Sequence, residues 1–327
     1  MWNCRNRFLA AAAAAGLVLG LAGGASAQDY PNRAIKMVVP APPGGGTDIL
    51  GRIVAGGISS ALGQPVVVDN RGGASGMIAA DAVLKAPADG YTLFMVYSGV
   101  LTVNHALFPK ISYDPFKDFV PVANFAQVPN VLIVHPSVPV KSVSELIKLA
   151  KGNPGKLNYA SSGNGVSNHL SMELFKQMAD IKMVHVPYKG GAPAMTDLLG
   201  GQVQLMFNNL VEVTPHVKAG RVRALAVATA DRTPAMPELP TVAESGLPGY
   251  ETSLWYGVVA AAGIPPAIVS RLNEAIRNLQ KQPDVKARLA SMGAEPVSMT
   301  PAEFGAMIKR EGEKWGRVVR EAGIKAG

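Results

Sequence analysis

The chain has 327 residues, 48% hydrophobic and 17% charged, with a formal net charge of +8 and one cysteine. That length and apolar content suffice for one large domain or two lobes around a buried core, and a single thiol excludes a disulfide framework. The basic residues are scattered, and the densest segment, "IKREGEKWGRVVREAGIK", alternates in sign as solvated helix faces do, so the charge serves solubility and a mild attraction for anions, and no nucleic-acid partner is expected.

The N-terminus carries Arg5 and Arg7, then the apolar "LAAAAAAGLVLGLAGG", then "ASA" ending at Ala27. This is the pattern of a cleaved secretory signal peptide, expected over residues 1–27, and it predicts export to the periplasm. The apolar stretch is short and rich in small residues for a membrane anchor. Cys4 lies in this segment, so the exported fold rests on its core alone.

Further along, "AIKMVV", "PVVVDN", "YTLFMVYS", "NVLIVHP", "LNYASS", "MVHVPY", "VQLMFNN", "VRALAVATA" and "LWYGVVA" are short, β-rich and apolar, as buried strands are. Helical periods separate them. "SVSELIKLAKG" opens on a serine cap and stops at Gly152; "PPAIVSRLNEAIRNLQK" aligns Ile268, Leu272, Ile276 and Leu279 on one stripe. The alternation predicts an α/β fold with largely parallel sheets flanked by helices. Two segments, "IKMVVPAPPGGGTDILGRIVAGGI" and "LNYASSGNGVSNHLSMELFKQM", share one plan: strand, Gly/Ser-rich turn, amphipathic helix. They predict two lobes, one spanning 28–128 and 252–327, the other 129–251, each aiming a helix N-terminus at the carboxyl edge of its sheet, where ligands of such folds bind.

The glycine loops fail the nucleotide motifs. "APPGGGTD" lacks the lysine that a phosphate loop needs, and "GNPGKL" is followed by no hydroxyl at Leu157. A dinucleotide fingerprint breaks at Ile49 in the first loop and at Asn168 in the second. No cofactor is expected. The nucleophile elbow is absent, since "GASG" at 73–76 is one residue short. His105, His135, His169, His185 and His216 are far apart and lack metal-ligand spacing. His169, on a first helical turn, invites packing or capping more than proton transfer, and no enzyme activity is expected.

A small anion needs less. Helix starts offer unpaired N–H groups and a partial positive charge, and "GGGTD" and "SSGNGVSN" add close backbone approach and hydroxyls. Charge-assisted hydrogen bonds contribute about 1.5–3 kcal/mol each, so four or five suffice for micromolar binding at roughly 8 kcal/mol. Asp48 at the first helix start suits a cap, because a bare aspartate repels an anion. Ser98, Tyr188, Lys189 and Asn208 end strands on the same edge, and "NRGGASGMIAADAV" at 70–83 is a third loop-to-helix junction that could rim the cleft.

These segments, with "PADGYTL", "VPYKGGAPAMTDLLGGQVQLMFNNL", "KAGRVRALAVAT", "LPTVAESGLPGYE" and "WYGVVAAAGIPP", resemble the periplasmic solute-binding proteins of tripartite tricarboxylate transporters, the Bug family, over essentially residues 28–327. The resemblance implies a two-lobed Venus flytrap of the type II-like binding-protein fold. It closes, as a monomer, on a small organic carboxylate and passes it to membrane permease subunits. It also implies ligand contacts from Gly44, Gly45, Thr47 and Asp48, from Ser161, Ser162, Gly165, Ser167 and Asn168, and from the turn Tyr188, Lys189 and Gly190. Two departures from the family pattern bear on the ligand: Ala41 stands where an aromatic residue is common, and Asn208 where aspartate is. Alternatives are a periplasmic hydrolase or lyase acting on a carboxylate with a histidine such as His169, and a receptor that presents ligand to a membrane sensor.

Overall fold

The computed structural model describes residues 30–188 and 190–325; the signal-peptide segment and Lys189 lie outside the described residues. The first Val- and Ile-rich runs become β1 (Ile35–Val39), β2 (Val66–Asn70) and β3 (Thr92–Tyr97), with β1 parallel to both others. Side chains alternate across a strand, and the connecting helices follow that alternation. Met37 and Val39 pack with Leu50, Ile53 and Ile58 of α1 (Gly46–Leu62), while Val38 packs with Ala79 and Val83 of α2 (Met77–Leu84) on the other face. Two short helices, α3 (Ser98–Thr102) and α4 (Asn104–Leu107), then lead into the 16-residue strand β4 (Phe119–Val134).

The second half repeats the plan: α5 (Val143–Gly152), β5 (Asn158–Ser161), α6 (Ser167–Ala179), β6 (Val184–Pro187), α7 (Gly191–Leu199), β7 (Leu205–Asn209), α8 (Leu210–Lys218) and β8 (Arg223–Val227). Ser142 caps α5 as its sequence predicts, its Oγ accepting the Glu145 N–H at 3.2 Å. The chain returns through β9 (Ser253–Ala261), α9 (Pro266–Lys281), α10 (Pro283–Ser291), the two-residue β10 (Glu295–Pro296) and α11 (Pro301–Glu321). The stripe of Ile268, Leu272, Ile276 and Leu279 on α9 is buried in the first half's core.

The strands join in the order β2-β1-β3-β9-β4-β7-β5-β6. All nine predicted strand runs form strands. In the first half every strand runs one way except β9 and β10; in the second only β4 is reversed. The parallel expectation therefore holds for the outer strands; of the reversed ones, β4 and β9 stand where the chain passes between the halves, and β10 is a two-residue strand paired with β4. β4 changes partners between Pro129, opposite Ser253 of β9, and Asn130, opposite Asn209 of β7.

The N-terminal part of β4 carries no strand signal in sequence, because Pro121, Asn124, Gln127 and Pro129 interrupt its apolar run. It forms because α9 supplies what the ladder loses. The register slips between Pro121 and Ala123 and between Asn124 and Ala126. Asn273 Nδ2 donates to the Val122 carbonyl at 2.8 Å, and Gln280 Nε2 to those of Asn124 and Phe125 at 3.0 and 2.8 Å. Buried carbonyls at the bulges are thus satisfied by side-chain amides.

Gly257 sits where β9 crosses β4 beneath α11. A Cβ there would lie 2.8 Å from the Ala123 carbonyl oxygen and 2.5 Å from Phe304 Cζ. Backbone cannot yield as a flexible side chain can, so Gly257→Ala is expected to cost about 1–3 kcal/mol by overpacking; urea unfolding of the variant measures it, and an unchanged midpoint contradicts this packing.

Candidate functional site

The two glycine-rich loops are closed by the same device. In the first, Asp48 is the third residue of α1. Its Oδ2 accepts the N–H of Gly44, four residues back, at 2.8 Å. In the second, His169 is the third residue of α6, and its Nδ1 accepts the N–H of Gly165, again four back, at 3.0 Å. Gly44 and Gly165 have φ of 84° and 70°, the left-handed region where a side chain costs free energy. The remaining N–H groups at each helix start keep no intrahelical partner.

The chemistry behind each brace differs. Asp48 is buried and also takes hydrogen bonds from Arg52 Nε at 3.0 Å and Asn70 Nδ2 at 2.9 Å. Burial alone would raise its pKa, but the bonds from Arg52, Gly44 and Asn70 prevail and hold the carboxyl below its ordinary range. His169 is buried against His185, ring centroids 3.8 Å apart, and His185 stacks on Tyr159 at 4.8 Å. Glu173 accepts from the Tyr159 hydroxyl and from Lys176 Nζ, and lies 3.8 Å from His169 Nε2. Burial above all, then the charges of His185 and Lys176, pushes the His169 pKa down to about 3. The ring is therefore neutral, with Nδ1 free to accept and its proton on Nε2.

Beside the second loop lies a cleft of about 340 Å³. One side is made by Tyr97, Ser98 and Gly99 at the end of β3, by Ser75, and by Tyr256 of β9. The other is Asn164, Gly165, Val166 and Ser167 at the start of α6, and Trp315 of α11 closes the margin. Tyr97 and Tyr256 are register partners across β3 and β9. Burial pushes both phenols up to about 12, helped for Tyr256 by the neighbouring Tyr97, so both are neutral donors at physiological pH. The Tyr256 hydroxyl lies 3.9 Å from the Cβ position of Gly46, which ties the first glycine loop to this cleft. Among the described residues that line it there is no carboxylate, ammonium, guanidinium or imidazole.

Of the residues expected to contact ligand, Ser98, Gly165 and Ser167 line the cleft. Gly44, Gly45 and Thr47 belong to the first loop and helix start and do not line it; that start comes near the cleft only where Gly46 faces Tyr256. Several others have side chains committed within the protein. Asp48 closes its loop. Ser161 Oγ bonds the Gly163 carbonyl and approaches His185 Nε2 at 2.6 Å. Ser162 and Asn168 bond each other, Asn168 Nδ2 donating to Ser162 Oγ at 2.8 Å. The Tyr188 hydroxyl donates to Asp197 at 2.7 Å, Gly190 N–H to the Ser162 carbonyl at 3.1 Å, and Asn208 Nδ2 to Glu212 at 2.8 Å. Lys189 lies outside the described residues. His169 offers no catalytic lone pair, since Nδ1 is occupied by Gly165.

Sequence reasoning missed Tyr97, Asn104, Tyr256 and Trp315 as site residues, and treated Ser75 only as part of a junction. Ala74 and Ser75 hold φ of 45° and 52°, a strained conformation of the kind found at functional sites. Asn104 Nδ2 fixes it by donating to the Ser75 carbonyl at 2.9 Å.

The buried imidazole predicts a pH dependence. An unfolded His169 titrates near 6.5 and takes up a proton that the folded state refuses down to about 3. Its contribution is complete above pH 6.5 and is lost progressively as pH falls toward 3, at up to about 1.4 kcal/mol per pH unit. His169→Asn, which keeps an acceptor and loses the titration, is expected to show a shallower fall in urea midpoint between pH 6.5 and 4; equal slopes contradict the assignment.

A profile of the tripartite tricarboxylate transporter family receptor matches residues 50–324. The protein BugT of Bordetella pertussis is 41% identical over 307 residues, 94% of each chain. Among solved structures, R. palustris Rpa4515 with adipate is 43% identical at a TM-score of 0.74, covering 91% of this chain and 99% of that one. MatC of Rhodopseudomonas palustris with bound malate is 35% identical at 0.70, covering 89% and 100%. With sequence and fold agreeing over nine-tenths of its length, this chain belongs to the tripartite tricarboxylate transporter receptor family.

Proposed function

We propose that the protein is a periplasmic receptor that captures a small carboxylate in the cleft between two lobes, 28–128 with 252–327 and 129–251, and delivers it to the membrane permease of a tripartite transporter. The observation that carries this reading is that neutral donors from both halves line one cleft: the phenols of Tyr97 and Tyr256 on one side, with the start of α1 next to Tyr256, and Ser167 at the start of α6 on the other. Helix starts and hydroxyls suit a carboxylate, and the related Rpa4515 and MatC hold adipate and malate. The change of partner along β4 between Pro129 and Asn130 supports a division of the chain near these boundaries. An anion touching both sides favours the closed arrangement over the open one, so capture is a population shift. No catalysis is proposed, and the hydrolase alternative loses the base named for it, because His169 Nδ1 is held by Gly165.

The test is calorimetric titration with a dicarboxylate panel. Tyr256→Phe combined with Ser167→Ala removes one donor from each side. It is expected to weaken the tightest ligand at least tenfold, about 1.4 kcal/mol, with the melting temperature of the free protein unchanged. Undiminished affinity in the double variant contradicts the proposal.

A further inference from the structure

The cleft has a second character besides its donors. Val103, Leu107, Leu170 and Trp315, from three separate parts of the chain, all line it and pack together in one cluster that spans both halves. Trp315 is a hydrocarbon surface here: its indole N–H donates to Glu311 Oε2 at 2.7 Å and is not available to a ligand. Leu254 extends the apolar lining onto β9. A ligand therefore meets hydrogen-bond donors at the strand ends and helix starts, and carbon along the wall.

Resting on the carboxylate reading above, we infer that the ligand class is a carboxylate with an unsubstituted hydrocarbon body, and that hydroxylated and tricarboxylic acids are discriminated against. A hydroxyl placed against Val103, Leu107, Leu170 or Trp315 loses its water and finds no partner on those side chains, which costs affinity. A third carboxylate has no cation among the described lining residues to meet it. Each methylene laid on the wall gains about three- to fourfold in affinity.

Succinate and malate differ by one hydroxyl, and succinate, glutarate and adipate by successive methylenes, so calorimetry with these four probes reads both effects. Succinate is expected to bind at least tenfold tighter than malate, with affinity rising about threefold per methylene toward adipate. Leu254→Asn, which places an amide on the wall, is expected to narrow the succinate-to-malate ratio, with a melting curve to show that the variant is folded. Malate binding as tightly as succinate or tighter overturns the inference and leaves the carboxylate reading standing. No binding of any of the four at millimolar concentration sinks both.

Discussion

The site depends on one interaction made twice: a side chain on the third residue of a helix accepts the backbone N–H of a glycine four residues earlier. Asp48 does this for Gly44, and His169 does it for Gly165. The bond folds each glycine turn back onto its own helix, whose first N–H groups have no intrahelical partner. Helix starts attract anions only where those groups are accessible and held still. The glycines matter because φ near 80° is open to them at little cost.

The two braces need different support. An aspartate near an anion site is a repulsive charge unless neutralised. Arg52, one turn along α1, pairs with Asp48 at 3.0 Å, and Asn70 occupies its other oxygen. The histidine needs the reverse, exclusion of charge. The stack with His185 and Tyr159 buries the ring, and Glu173 gathers the nearby phenol and ammonium. Each brace is thus held by its own route. The apolar cluster of Val103, Leu170, Trp315, Val318 and Val319 crosses from one half to the other, so the halves meet through carbon at the cleft.

Much of the fold was legible because its information is local. β-branched runs gave the strands, Ser142 gave the start of α5, and the stripe on α9 gave its buried face. The first part of β4 was hidden because its stability comes from Asn273 and Gln280, far along the chain. The site divides the same way. Ser98, Gly165 and Ser167 stand at strand ends and helix starts, which are readable positions. Tyr97 and Tyr256 become neighbours only through antiparallel register, and Trp315 arrives on the C-terminal helix; nothing local announces either. For Ser161, Asn168 and Asn208 the residue types were visible, but the direction of each side chain depends on partners such as His185, Ser162 and Glu212.

The central claim is that main-chain amides of both halves grip one anion. Amide nitrogen and proton shifts of Gly46, Thr47, Ser167 and Asn168 during a succinate titration test it most directly. The account predicts that all four move along one binding isotherm. Movement confined to one half, or to residues remote from both helix starts, contradicts it.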